Sequence, residues 1–182
     1  MSLRKSFLEF YKAVVSERSL KIILVVIFVL FIFLLLKNVL VILIMLGIAI
    51  ISLLHNMFTR NLVGFELCTF AAVFCAMKFG AGAGIFVGVF SILIGMLLSG
   101  NIDEGIILMM IGFAAIGFFA SLFDFSKIFA VGMAATIIYD IIVVGFYILM
   151  GSSPVKNASY FLTHLILNFY IFKYLPNIFA NI

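Results

Sequence analysis

The stretch GFELCTFAAVFCAMKFGAGAGIFVGVFSILIGMLLSG, residues 64–100, decides the fold. It has the pattern of two apolar helices joined by a glycine-rich corner at 80–84, and the first helix carries one acid, Glu66, near its start. In lipid, helices associate through close packing over small side chains, because the hydrophobic effect does not drive them together. We therefore predict that this hairpin is the core of a helical bundle; a plain tight turn is the alternative. The candidate packing glycines stand at one-turn spacing: Gly80, Gly84 and Gly88.

The composition places the chain in a membrane. Of its 182 residues, 67% are hydrophobic and 10% are charged, whereas soluble domains have about 45–50% apolar and about 25% charged residues. Such an inventory cannot build a water-facing surface, so the sequence predicts a multi-pass protein of the cell membrane. Only two prolines occur and no Ser/Gly-rich linker. We predict one transmembrane helical domain, residues 20–182, preceded by a short segment at 1–19.

Basic residues are concentrated at the start of the chain. Five of the eleven Lys and Arg residues lie in the first 21 positions, and the net charge is +4. In residues 2–19 apolar side chains fall on one helical face and Lys5, Glu9 and Lys12 on the opposite face. This pattern is typical of a helix lying on an anionic membrane surface. It predicts the lipid bilayer as a partner, argues against nucleic acid, and favours a cytoplasmic N-terminus.

The apolar runs predict six or seven membrane spans. Residues 19–36 and 39–54 form two runs separated only by Lys37 and Asn38. One continuous helix of about 52 Å would be too long to cross once without strong tilt, so a tight hairpin is predicted between them. The expected fold is all-α, a polytopic bundle with a six-helix core and room for one extra N-terminal span. Further spans are expected at 105–123, 128–151 and 157–174, the last closed by Pro176.

Two topologies agree with these spans. With seven spans and a cytoplasmic N-terminus, Arg60 and Lys156 lie inside; if the first two runs together cross only once, these two lie outside. The second arrangement obeys the positive-inside rule better and places the acidic loop 103–104, expected to be solvated, on the outside. The sequence leaves both open. In the second arrangement the cations inside are Lys78, Lys127 and Lys173.

No catalytic or metal-binding motif occurs in the sequence. Patterns of the HExxH, GxSxG, P-loop and paired-cysteine types are absent, and so is an acidic cluster of the kind that binds Mg²⁺. We therefore predict no catalytic residue, no metal and no cofactor. Cys68 and Cys75 lie seven positions apart on one predicted helix, and we interpret them as small packing residues.

Polar residues inside the apolar spans are candidates for ligand binding. Asp140 interrupts its span near the middle, where an ionisable group is costly and usually functional. His164 and Asn168 stand one turn apart in the last span. The structural alternative is a hydrogen bond from Asp140 to Tyr139, Thr136 or a neighbouring helix, and an interhelical bond for His164. The predicted substrate-binding residues are Glu66, Asp140, His164 and Asn168.

The run FELCTFAAVFCAMKFGAGAGIFVGVFSILIG, residues 65–95, resembles the S components of energy-coupling-factor transporters. It is also similar to membrane proteins of the rod-shape-determining MreD type, and THLILNFYIFKYL at 163–175 is similar to the last helix of both groups. Two features depart from this pattern. The apolar run at 19–36 does not belong to a six-helix core, and the alanine-spaced contact motif is missing from 38–54. Such spacing occurs later, at Ala72 and Ala76.

Three functions are considered, in decreasing order of preference; the resemblance implies the first two, and the third comes from the polar residues themselves. As an S component, the chain would be a non-catalytic bundle that binds a vitamin-like molecule near the extracellular face. It would deliver that molecule through a membrane partner subunit coupled to cytoplasmic ATPases. As an MreD-like protein it would be a scaffold that recruits partner proteins. An intramembrane enzyme using Asp140, Glu66 and His164 is the third alternative, and it requires these side chains to converge.

Overall fold

A computed structural model describes residues 17–59 and 63–179. Within these ranges every regular element is helical, which confirms the all-α class. Residues 1–16 of the predicted interfacial segment lie outside the described residues. The elements are α1 (Glu17–Leu53), α2 (Asn56–Thr59), α3 (Cys68–Phe79), α4 (Ala81–Ser99), α5 (Gly105–Ala120), a 3₁₀ turn (Phe125–Lys127), α6 (Ile128–Leu149) and α7 (Pro154–Phe179).

The described residues include three helices that are long and apolar enough to cross a membrane: Leu36–Thr59, Ala81–Ser99 and Phe125–Leu149. They confirm that the chain has helices suited to a membrane. Helix α3 has 12 residues and α5 has 16, fewer than the about 20 that a perpendicular span needs. The larger number of crossings expected from the sequence remains a prediction.

Contacts divide the chain into two compact units, Met1–Val41 and Ile42–Ile182. In the first unit, the described part is the beginning of α1, and its large apolar side chains from Leu20 to Val29 are exposed. The second unit contains the buried core and α3 to α7. All candidate site residues belong to this second unit.

The hairpin predicted at Lys37 and Asn38 is wrong. Helix α1 runs without interruption from Glu17 to Leu53, over 37 residues. Neither Lys nor Asn removes a backbone donor as proline does, and Lys is a good helix former. Two polar residues therefore do not stop a helix that apolar residues extend on both sides.

Helix α3 is the centre of the second unit. It contacts α4, α5, α6 and α7, and its residues from Cys68 to Ala76 are all buried. A helix that is apolar on every side is stable in this position, where other helices cover it all round. Cys68 and Cys75 are both buried within it and unpaired.

Small residues bring α4 against α3. A side chain at Gly84 would collide with Ala76 and come within 2.9 Å of the Ala72 carbonyl oxygen, and one at Gly88 would come within 3.2 Å of the Ala72 Cβ. We call Ala72, Ala76, Gly84 and Gly88 the small-residue seam. Gly80 is not part of it, contrary to the prediction, since nothing lies within 4 Å of a Cβ built there. Its φ of +93° makes it the corner itself, and α4 already begins at Ala81.

Pro176 does not close the last helix. Helix α7 continues through it to Phe179, although proline removes one backbone hydrogen bond. Tertiary packing explains the continuation, because the Phe179 ring lies 5.8 Å from that of Phe74 and 6.4 Å from that of Phe70, measured between centroids. Aromatic pairs at such distances are stabilising.

Candidate functional site

The four predicted binding residues are all buried. Glu66 lies in the non-helical segment before α3 and is 3% exposed, while Asp140 on α6 and His164 and Asn168 on α7 are 0% exposed. A buried ionisable side chain is expensive unless it is paired and hydrogen-bonded. The partners of these side chains therefore determine what the site can do.

Gly64 fixes the segment that carries Glu66. Its N–H donates to Thr163 Oγ1 at 2.8 Å, and a side chain at this position would collide with His164 and approach the Tyr160 carbonyl oxygen at 2.8 Å. The Leu67 N–H donates to Ser52 Oγ at 2.9 Å. Because Gly64 has no side chain, the segment can lie directly on α7 beside His164.

Asp140 and His164 form a direct pair between α6 and α7. His164 Nδ1 lies 2.8 Å from Asp140 Oδ1 and 2.9 Å from Oδ2. With Asp140 ionised, its carboxylate can only accept, so the Nδ1–H of the imidazole donates to it. Asp140 thereby fixes the ring and leaves Nε2 on the opposite side.

Glu66 faces the other nitrogen of the same imidazole. Its Oε1 lies 3.4 Å from His164 Nε2 and accepts a hydrogen bond of 2.9 Å from the Tyr160 hydroxyl. The Tyr160 ring stacks on the imidazole with centroids 5.5 Å apart. Among the described residues, Nε2 is a buried atom without a hydrogen-bond partner. We call Glu66, His164 and Asp140 the acid–imidazole cluster.

Asn168 lies behind this cluster. Its side-chain N–H donates to the His164 carbonyl oxygen one turn earlier, at 3.0 Å. Its Oδ1 is buried and has no hydrogen-bond partner among the described residues. Asn168 therefore forms a hydrogen bond within α7, and it does not line the cavity at the end of the unit.

A cavity of about 240 Å³ lies at the end of the second unit where α6 ends and α5 and α7 begin. Glu66 and Tyr160 belong to its wall, whereas His164 and Asp140 lie behind Glu66. The cluster thus meets the cavity through one carboxylate. The lining residues most relevant to binding are Asn56, Glu66, Asp103, Tyr147, Lys156, Asn157 and Tyr160.

Two buried amides on the cavity wall have unused polar atoms. Asn56 Oδ1 and Asn157 Nδ2 lack hydrogen-bond partners among the described residues, with side chains 2% and 8% exposed. One is an acceptor and the other a donor. Buried polar groups are normally satisfied by protein or water, so these two atoms are available to a molecule inside the cavity.

Asp103 is part of this wall, although the sequence predicted a solvated loop. It is half-buried, and its Oδ1 accepts from the Tyr147 hydroxyl at 2.7 Å and from the Gly105 N–H at 2.9 Å. The bond to the N–H two residues ahead forms a local turn that holds the carboxylate against α6. The neighbouring Glu104 is exposed.

Sequence reasoning missed most of the cavity. Asn56, Tyr147, Lys156 and Asn157 were not candidates, because polar residues near helix ends are ordinary in membrane proteins. A usable signal was their position in the sequence: Asn56 and Lys156 flank predicted spans, Asn157 begins one, and Tyr147 lies near the predicted end of another. The seam glycines and Asn168 contribute nothing to the cavity wall.

The arrangement suits proton and polar-group binding. Within the described ranges, no group of three or more His, Cys, Asp or Glu side chains is placed to hold a metal ion. The three residues that an intramembrane enzyme would need do converge. However, among the described residues both imidazole nitrogens face carboxylates, those of Asp140 and Glu66, rather than a hydroxyl or thiol that the ring could activate as a nucleophile.

Comparison with protein-family models, curated proteins and solved structures finds no match to this chain. The geometry of the cavity and of the acid–imidazole cluster is therefore the basis for a proposed function.

Proposed function

We propose that this chain is a non-catalytic membrane subunit that binds a small polar solute in the end cavity, as the substrate-binding component of an energy-coupling-factor-type transporter. One observation carries the proposal: the cavity is walled by buried amides with unused hydrogen-bonding atoms. Groups of this kind are costly in an empty or purely structural space. A bound solute satisfies them.

The polar groups on the cavity wall indicate which kind of solute the cavity can bind. Glu66 and Asp103 suit a donor or cationic group, whereas Lys156 and the Asn157 amide N–H suit an acceptor or anionic group. The volume of about 240 Å³ is smaller than the about 300–1,000 Å³ of pockets for drug-sized ligands. The best ligand is therefore a small molecule with both kinds of polar group, in agreement with a vitamin-like substrate.

A topology with six crossings and a cytoplasmic N-terminus accompanies this proposal. The unbroken α1 supports a single crossing of the first two apolar runs. Helix α1 and helices α3 to α7 then alternate across the bilayer as a six-helix bundle. Lys78, Lys127 and Lys173 come to the cytoplasmic side, as the positive-inside rule favours. In this topology the cavity, with Asp103 and Lys156, opens toward the outside.

Cavity filling tests the proposal. Val144 lines the cavity, and Val155 is 80% exposed on α7, so Val144→Phe and Val155→Phe make the same change inside and outside the site. Native mass spectrometry of the purified full chain should detect a small molecule on the wild type and on Val155→Phe, and none on Val144→Phe. Thermal-shift measurements with a panel of small zwitterions and vitamins, at millimolar concentration, should show the same difference.

The same preparation tests the transporter complex. A membrane subunit and ATPases should co-purify with the chain from native membranes. Equal solute binding by Val144→Phe and the wild type would contradict the cavity assignment. Absence of any bound molecule and of any thermal shift across the panel would contradict solute binding itself.

A further inference from the structure

The acid–imidazole cluster is one proton short of a satisfied network. Asp140 accepts a hydrogen bond from the Nδ1–H of His164. The other ring nitrogen, Nε2, is then an unprotonated acceptor that faces the Glu66 carboxylate 3.4 Å away. Two acceptors that face each other in a buried site repel, and neither gains a hydrogen bond from the other. A single proton placed between them converts this repulsion into a charge-assisted hydrogen bond.

We propose that Glu66 and His164, with the ring held by Asp140, share one proton and form a proton-binding site at the floor of the end cavity. The proton lies on the axis between Glu66 Oε1 and His164 Nε2. The Tyr160 hydroxyl donates to the same carboxylate oxygen and stabilises its negative charge when the proton is on the imidazole. Nothing outside the chain is needed except the proton itself.

Exchange of this proton passes through Glu66. Among the three residues of the cluster, Glu66 is the one on the cavity wall, while His164 and Asp140 are fully buried. Among the described residues, the imidazole forms its ion pairs with Glu66 and Asp140. The other titratable side chains near the cluster or on the cavity wall are Tyr139 on α6, Cys68 on α3, Tyr160 on α7, and Asp103, Tyr147 and Lys156.

Proton occupancy sets the charge of the cavity floor. With the proton bound, the cluster carries one net negative charge; without it, the cluster carries two. The deprotonated floor therefore favours a cationic group of the solute, and a proton and that group compete. This second step rests on the proposed function, whereas the proton site itself does not need a solute.

Histidine nitrogen NMR tests the proton site. The full chain, labelled with ¹⁵N-histidine in detergent micelles, has two imidazoles, which the loss of one signal in His55→Gln assigns. Near neutral pH we expect the Nε2 resonance of His164 to report a bound or shared proton. In Glu66→Gln, whose amide can donate to Nε2, the resonance should move to that of an unprotonated nitrogen. Asp124→Asn removes an exposed carboxylate outside the cavity and should leave it unchanged.

A wild-type measurement covers the event that Glu66→Gln does not fold. Titration from acid to alkaline pH should show loss of the shared proton from His164 Nε2 together with a change in a carboxyl stretching band in the infrared spectrum. A bare Nε2 at every pH overturns the proposal, as does an identical signal in Glu66→Gln. A shared proton without any detectable solute keeps the proton site and rejects the proposed function; the reverse result rejects only the proton site.

Discussion

The small-residue seam and the acid–imidazole cluster hold different pairs of helices together by opposite means. At the seam, Gly84 and Gly88 let the backbones of α3 and α4 approach, and the contact consists of small apolar groups. At the cluster, Asp140 and His164 join α6 to α7 through charged or polar atoms. Added side-chain volume should therefore destabilise the seam, whereas removal of a hydrogen-bond partner should destabilise the cluster.

The difference follows from what lipid can and cannot supply. Lipid tails solvate apolar side chains as well as another helix does, so a helix contact depends on close fit. A polar group, in contrast, finds no partner in lipid, so its partner must come from the protein. The following substitutions test one mode of contact against the other.

We expect the largest effect from Gly84→Leu. A side chain here collides with Ala76 and comes within 2.9 Å of the Ala72 carbonyl oxygen, and helix backbone cannot move aside as a flexible side chain can. Overpacking costs about 1–3 kcal/mol and occasionally more, and this site belongs at the upper end. The melting temperature in detergent and the yield of folded protein should both fall.

Gly82→Leu is the matched control on the same helix. Gly82 is exposed and has nothing within 4 Å of a Cβ. Leucine also forms helix better than glycine by about 1 kcal/mol, so stability should be unchanged or slightly higher. Equal destabilisation by both substitutions would contradict the seam as a close-packed contact.

Asp140→Leu should have the next largest effect. It leaves the Nδ1–H of His164, a fully buried side chain, without its acceptor, and an unpaired buried donor costs about 1–3 kcal/mol. Asp140→Asn retains an acceptor of the same size and should lose less. Thermal unfolding of the three proteins in detergent measures the order wild type, Asn, Leu.

The control for Asp140 is Asp124, which is exposed in the turn before the 3₁₀ segment. Asp124→Leu should leave the unfolding temperature within error of the wild type. If Asp140→Leu behaves in the same way, the pair with His164 does not stabilise the bundle. In that event the pair would serve proton binding and not stability.

The small-residue seam could be predicted from the sequence, because the spacing of small residues along one helix is a local pattern. Glycines one turn apart define a helix face without knowledge of its partner, and Ala72 and Ala76 repeat the spacing on the preceding helix. The position of the corner was less accessible. The repeat GAGAG does not tell which glycine takes positive φ, and the structure assigns this to Gly80, with φ +93°.

The cluster was only partly accessible. The cost of a lipid-facing charge predicts an inward Asp140, and its side chain is 0% exposed. Its partner is 24 positions away on the next helix, and Glu66 reaches His164 from a non-helical segment whose path depends on Gly64. Contacts of this kind depend on tertiary packing, which no periodicity in the sequence records.

A smaller effect is expected from Tyr160→Phe. The substitution removes the hydroxyl that donates to Glu66 Oε1 at 2.9 Å and keeps the ring that stacks on His164. Loss of one hydrogen bond to a carboxylate should cost about 1.5 kcal/mol, the low end of the range for a bond to a charged group. It should also alter the His164 Nε2 resonance, which a loss of packing elsewhere would not do. An unchanged resonance would show that Tyr160 does not influence the shared proton.

The smallest effect is expected from Tyr147→Phe, the same chemical change nearer the end of the unit. The Tyr147 hydroxyl donates to Asp103 Oδ1 at 2.7 Å, but this oxygen also accepts from the Gly105 N–H at 2.9 Å. Asp103 is half-buried, so water in the cavity can replace the lost donor. The cost should be about 0.5 kcal/mol, at the low end for a hydrogen bond.

The comparison of the two tyrosines measures how dry each part of the cavity is. Both substitutions remove one hydroxyl and keep the ring, so a difference in unfolding temperature reports how well the remaining carboxylate is solvated. Tyr147→Phe should also leave the His164 resonances unchanged, because Asp103 lies outside the acid–imidazole cluster. If Tyr147→Phe is the more damaging of the two, Asp103 is the drier carboxylate and Glu66 is open to water, which would remove the reason for a shared proton at Glu66.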